Sequence, residues 1–118
     1  MTDFAFALDR LRKAASALPE VEEGTSYGTP ALKVRNKMFC RIKDADTVVL
    51  RCTMEDKEML MAAAPEIYFE TPHYEGWPAV LMRIRAISDE ELAHRLAIAW
   101  RMLAPKKLAA RHDAAHGR

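Results

Sequence analysis

The stretch that decides the fold is ALKVRNKMFCRIKDADTVVLRCT, residues 31–53. Leu32, Val34, Met38, Cys40, Ile42, Val48, Leu50 and Cys52 all fall on its even positions, the two-residue period of strands that bury one face. Breaks at Arg35-Asn36-Lys37 and Asp44-Ala45-Asp46 divide it into three strands. Keeping the even residues on one face through both reversals requires loops with an odd number of residues, so three-residue loops are expected, with Asn36 taking the left-handed conformation. That register sets Val34 opposite Met38, Cys40 opposite Leu50 and Ile42 opposite Val48, with both cysteines as core thiols.

The odd positions of the same strands carry Lys33, Phe39, Arg41, Lys43, Val49 and Arg51. Further along, AVLMRIRAI (79–87) sends Val80, Met82 and Ile84 to one side and Leu81, Arg83 and Arg85 to the other, adding a further strand with the same division. Lys33, Arg41, Lys43, Arg51, Arg83 and Arg85 would then line one sheet face, with Phe39 among them to stack on a base or sugar. Six such cations neutralising duplex phosphates would give a slope of about −5 in log affinity against log salt. The competing reading is a solvated outer face whose charges discourage edge pairing.

Helices flank the strands. Phe4, Leu8, Leu11, Ala15 and Leu18 recur at spacings of four and three, a helical stripe ending before Pro19. LPEVEEGTSYGTP (18–30) reads as a connector with at most a short extended piece, strands beginning after Pro30. Thr53-Met54-Glu55-Asp56 opens a short helix carrying Met59 and Leu60 and stopping near Pro65. Residues 67–70 suit a brief strand, and Ser88-Asp89-Glu90-Glu91 caps a last helix bearing Leu92, Leu96, Ala99 and Leu103. Trp100 and Met102 fall outside that stripe and are candidates for a protein contact, as are Leu81, Val49 and Phe39 on the sheet. KKLAARHDAAHGR (106–118) is polar and alanine-rich, expected to be largely mobile with at most a helical turn.

A chain of 118 residues fits one domain able to bury roughly two-thirds of its unfolded surface without metal or disulfide support. Its 50% apolar and 30% charged content is globular, and no stretch approaches the about 20 apolar residues of a membrane helix. The first residues, MTDFAFALDRLRKAA, do not read as an export signal, and two cysteines make no extracellular framework, so reduced thiols in the cytoplasm are expected. A net charge of +1 gives no whole-molecule attraction to polyanions, so nucleic-acid affinity must come from charge arrangement. No phosphate-binding glycine loop or dinucleotide fingerprint is present, so no cofactor is expected. His112 and His116 have helical ligand spacing but do not complete a metal site.

TPHYEGWP (71–78) gathers His73, Tyr74, Glu75 and Trp77 between prolines. Catalysis would use His73 as base, Tyr74 as acid or oxyanion donor and Glu75 as orienting carboxylate. Neighbours on an extended segment point in opposite directions, so the loop reads chiefly as a folded turn with Gly76 at positive φ and the Tyr74 and Trp77 rings partly buried. His73, Tyr74 and Trp77 remain a candidate ligand loop, and no catalytic residue is assigned.

Glu22-Glu23, the Gly28-Thr29-Pro30 turn, the Val34–Phe39 hairpin and His73-Tyr74-x-Gly76-Trp77 together resemble the MmcQ/YjbR family of small bacterial proteins, over nearly the whole chain. Asn36 stands where that family's pattern leads one to expect glycine. The resemblance implies an α+β double-wing domain over residues 1–104, followed by a polar tail at 105–118. Its elements would be an N-terminal helix, an antiparallel meander with further strands, a short middle helix and a C-terminal amphipathic helix. It also implies DNA binding by analogy of fold. The expected function is non-catalytic DNA binding through the basic face, the alternative being a protein-interaction module; self-association is not set by size or charge.

Overall fold

The Arg35-Asn36 reversal shows how the sheet is built. In the computed structural model, which describes residues 3–115, both residues have positive φ, 49° and 65°. Val34 pairs directly with Lys37. The reversal is therefore a two-residue turn of the kind whose twist matches that of the strands it joins, and not the three-residue loop expected from parity. The register error this would create is absorbed by a bulge, because Leu32 pairs with Cys40 while Lys33 pairs with Met38. Phe39 is the extra residue, so it joins Cys40 on the buried side and Met38 turns outward. A bulge of this type reverses side-chain direction locally while leaving the rest of the ladder in place.

The same solution recurs at the next reversal. Asp44 pairs with Thr47 across Ala45-Asp46, with an irregularity between Ile42 and Asp44, and the Asp44 carboxylate accepts from the Asp46 N–H at 3.0 Å. Cys40 still faces Leu50 and Ile42 still faces Val48, as the alternation requires. These strands are β2 (Thr29–Val34), β3 (Lys37–Asp44) and β4 (Thr47–Arg51).

The supposed connector contributes a further strand, β1 (Val21–Ser26), paired along its length with β2 through a tight turn at Tyr27-Gly28. An edge strand buries little and needs no apolar alternation, so Glu22, Glu23 and Gly24 hid it. β5 (Tyr68–Phe69) and β6 (Ala79–Arg83) complete an antiparallel sheet in the order β1-β2-β3-β4-β6-β5.

One face is covered by α1 (Ala5–Ala14) and α3 (Asp89–Leu103). Leu11, Leu32, Phe39, Ile42, Leu50, Met82, Leu92 and Leu96 form the core between them. The Ser88 hydroxyl accepts from the Glu91 N–H at 3.1 Å, as its position before an acidic turn predicts. Trp100, read as an outward residue, is fully buried and donates from Nε1 to the Pro19 carbonyl at 3.1 Å; Met102 stays exposed. The ring is buried because a further helix, α4 (Lys106–Ala115), lies where a mobile tail was expected. Leu108 and Ala109 of α4 enter the core, and His112 packs edge-on to Trp100. His116 lies outside the described residues.

The middle helix, α2 (Met54–Ala63), starts at Thr53, whose hydroxyl accepts from the Asp56 N–H at 3.1 Å. Its buried residues are Lys57 and Leu60, while Met59 points to solvent. No helix among the described residues is long and apolar enough to cross a membrane.

Candidate functional site

Among the described residues α1 and α3 cover the first face of the sheet, and a loop shelters part of the second. Residues 71–78 follow β5, make a single 3-10 turn at Pro72–Tyr74 and return into β6. Gly76 has φ 76°, the left-handed conformation expected of it. The loop is held from beneath by Lys57, whose side chain is only 1% exposed. Its ammonium donates to the Tyr74 carbonyl at 2.6 Å and the Trp77 carbonyl at 3.0 Å, and it ion-pairs with Glu70 at 2.8 Å. Three oxygens around one ammonium satisfy its three donors, so a buried charge is tolerable here and ties both halves of the loop to α2.

Beneath the loop, Val49, Ala79 and Leu81 form a small apolar floor with Phe69 and Tyr74 packed against it. The cleft between loop and sheet has a volume of about 420 Å³, within the range of about 300–1,000 Å³ typical of small-ligand sites. Its lining includes Tyr27, Met38, Arg41, Arg51, His73 and Trp77. Arg41 pairs with Val49, and Arg51 lies two residues further along β4, the diagonal position on the same face. Arg41 donates to the Tyr74 hydroxyl at 2.8 Å and the Thr29 hydroxyl at 3.2 Å, and its guanidinium lies 5.1 Å from the Tyr27 ring centroid. Neither arginine has an acidic partner within salt-bridge distance among the described residues.

The expected basic face is therefore only partly assembled. Arg41 and Arg51 meet in the cleft, Lys33 lies on the same face with its stem across Gly24, and Lys43 is exposed at the second irregularity. Arg83 instead donates to the Pro65 and Glu66 carbonyls and stacks 4.1 Å over Phe69. Arg85 has left the strand; it pairs with Asp46 at 2.7 Å and covers Phe6 of α1 at 4.2 Å. Phe39 cannot stack on a base, because the bulge puts it in the core at 0% exposure.

The loop residues divide similarly. Tyr74 faces into the cleft, while Trp77 is 60% exposed at its rim. His73 is exposed and meets Tyr74 edge-on at 5.0 Å. No hydrogen bond joins His73 to Tyr74 or Glu75 among the described residues, so the base–acid–orienter arrangement is not assembled. The two glutamates fall on opposite faces of β1: Glu23, opposite Leu32, takes a bidentate contact from Arg12 at 2.7 Å, which holds its carboxyl below the usual range. Glu22 stands opposite Lys33 on the edge strand. Both thiols are shut away, burial raising Cys40 to about 12 and Cys52 to about 11, the opposite of an activated nucleophile.

Alternation did not reveal Tyr27, Met38, Lys57 or Glu70. Tyr27-Gly28 carries a hairpin-turn signal in its glycine. Lys57 stands one turn before Leu60 on the apolar stripe of α2, and a lysine on a buried stripe signals a specific acceptor set.

An antiparallel sheet with helices on one face and a loop-walled cleft on the other defines a small α+β domain. The chain belongs to the YjbR family, whose family model matches residues 16–102. It is 44% identical over 64 residues to uncharacterised proteins of Mycobacterium bovis and Mycobacterium tuberculosis, covering 53% of this chain and 50% of theirs. The chain thus spans about half the length of those relatives. A crystal structure of a Deinococcus radiodurans protein with a DUF419 domain superposes with a TM-score of 0.71, over 93% of this chain and 87% of that one. At 19% identity that likeness establishes the shared fold.

Proposed function

We propose that this protein is a non-catalytic nucleic-acid-binding domain whose cleft on the open sheet face is the contact surface. The observation that carries this reading is the pairing of Arg41 and Arg51, neither matched by an acid, with a rim of aromatic rings on the same cleft. Arginine fixes phosphate through a planar fork, and aromatic rings offer faces to bases. Lys33 and Lys43 extend the cationic surface beyond the cleft, whereas Arg83 and Arg85 are engaged elsewhere. The unassembled His73 loop and the protonated, buried thiols favour binding over catalysis.

The test is a titration of labelled single-stranded and duplex DNA at several salt concentrations. Four cations acting on phosphate give a slope of about −3 for single strands or about −4 for duplex, and Lys33→Glu with Arg51→Glu should lower it while Arg85→Glu leaves it in place. Absence of binding to either form, or binding indifferent to salt, would overturn the reading and turn attention to a peptide partner for the same exposed rings.

A further inference from the structure

Tyr27 is the least expected residue on the cleft. It occupies the left-handed region at φ 53° beside Gly28 at φ 79°, where a side chain with a Cβ is strained by about 1–2 kcal/mol and Asn, Asp or Gly is the ordinary occupant. Its ring is also 89% exposed, so burial does not compensate for that strain. Trp77 is a second large ring left open to solvent on the same cleft, at 60%. Glu20 and Arg35 are also exposed at left-handed φ, but they pair with each other. Tyr27 differs in bringing a ring to the cleft, where its partner among the described residues is the Arg41 guanidinium, and strain retained in this way points to function.

The shape of the cleft sets what those rings can meet. In a duplex, base faces are covered by their stacked neighbours and only edges are presented in the grooves. An exposed aromatic ring can lie on a base face only if that base is unpaired and turned out of its stack. The apolar part of the cleft's lining, Val49, Pro78 and Ala79, suits a planar ring, and Arg51 is available for the phosphate attached to it.

We infer that the cleft takes a single unpaired nucleotide, its base against the Tyr27 or Trp77 ring and its phosphate on Arg51, so that the chain prefers single strands to duplex. This rests on the nucleic-acid reading above and makes it more specific, since a phosphate-binding face alone would accept either form. The class of ligand is an unstacked base with its phosphate; a duplex held by its backbone is the competing outcome.

The emission of Trp77 provides a direct readout, because Trp100 is fully buried and a base lying on an exposed indole should quench it. The full chain is titrated with an oligothymidylate, with an abasic strand of equal length and with a duplex of equal phosphate number. The expected result is quenching by oligothymidylate, with binding of the other two weaker by at least about tenfold, together with a loss of roughly 5–150-fold on Trp77→Ala, the range for deleting a stacking ring. The Trp77→Ala variant is followed by anisotropy of the labelled strand, and its affinity for the abasic strand should not change. Equal affinity for the abasic strand or the duplex overturns base insertion while leaving nucleic-acid binding standing. Binding to none of the three overturns both.

Discussion

Replacing Lys57 by methionine keeps the aliphatic stem and removes the ammonium that joins α2 to the loop. Two carbonyls, those of Tyr74 and Trp77, lose their donor, and Glu70 loses its ion-pair partner. Each hydrogen bond involving a charge contributes about 1.5–3 kcal/mol net, and breaking a buried ion pair by removing one partner costs about 3–5 kcal/mol. These quantities overlap, because the same ammonium makes all three contacts. Glu70 is 31% exposed and can regain water, which argues against simply adding them. The expected loss is about 3–5 kcal/mol, out of the roughly 6–18 kcal/mol that about 0.05–0.15 kcal/mol per residue allows a chain of this length. The variant should therefore fold but melt about 12–20 °C lower, at about 4 °C per kcal/mol. Urea unfolding followed by circular dichroism measures the change, and adding Glu70→Gln should cost less than the two single losses combined, since the orphaned carboxylate is then neutral. A loss under about 1 kcal/mol in Lys57→Met, with an unchanged denaturant slope, would show that the loop holds its shape without the lysine.

Phe39→Ala should destabilise by about 3–5 kcal/mol in the same unfolding assay; a change within about 0.5 kcal/mol, as on an exposed face, would contradict the bulge. Tyr27→Asn relieves left-handed strain of about 1 kcal/mol and gives up an exposed cation–π contact of about 0.5 kcal/mol. The variant should therefore be slightly more stable while binding oligothymidylate less tightly, and a less stable variant would remove the case for stored strain. Cys40 has a folded pKa of about 12, well above its unfolded value, so the unfolded state releases its proton first. Stability is then flat below about pH 8.5 and falls above it by about 1.4 kcal/mol per pH unit from this thiol alone, with Cys52 adding in the same direction. Urea midpoints compared between pH 8 and pH 10 test this, as does the resistance of both thiols to alkylation in the folded protein at neutral pH.

Much of the sheet was legible because alternation reflects a local property. Cys40 opposite Leu50 and Ile42 opposite Val48 follow from side chains pointing to opposite sides of successive residues, and the caps at Thr53 and Ser88 follow from hydroxyls placed before acidic turns. Parity counting failed where geometry offered a second way to preserve it. A loop with an odd number of residues and a two-residue turn followed by a bulge both keep Cys40 inward, but only the latter buries Phe39 and exposes Met38. Trp100 was misplaced because its burial depends on α4, a helix of low apolar content whose Leu108 and Ala109 suffice once packed against the core.

By itself, the amino-acid order determined the strands β2 to β6 and the helices α1 to α3, but neither β1 nor α4, and it determined that the face opposite the core would carry arginine. Tertiary structure decided which arginines remain available. Arg41 and Arg51 come together across neighbouring strands, whereas Arg83 and Arg85 turn to carbonyls and to Asp46 through contacts 17 to 39 residues distant in sequence. Tertiary structure also brought Tyr27, Tyr74 and Trp77 to one cleft, with Lys57 holding the loop there. Strand period and helix capping act over a few residues and can be read directly, whereas a cleft is made by segments that meet only after the chain has folded.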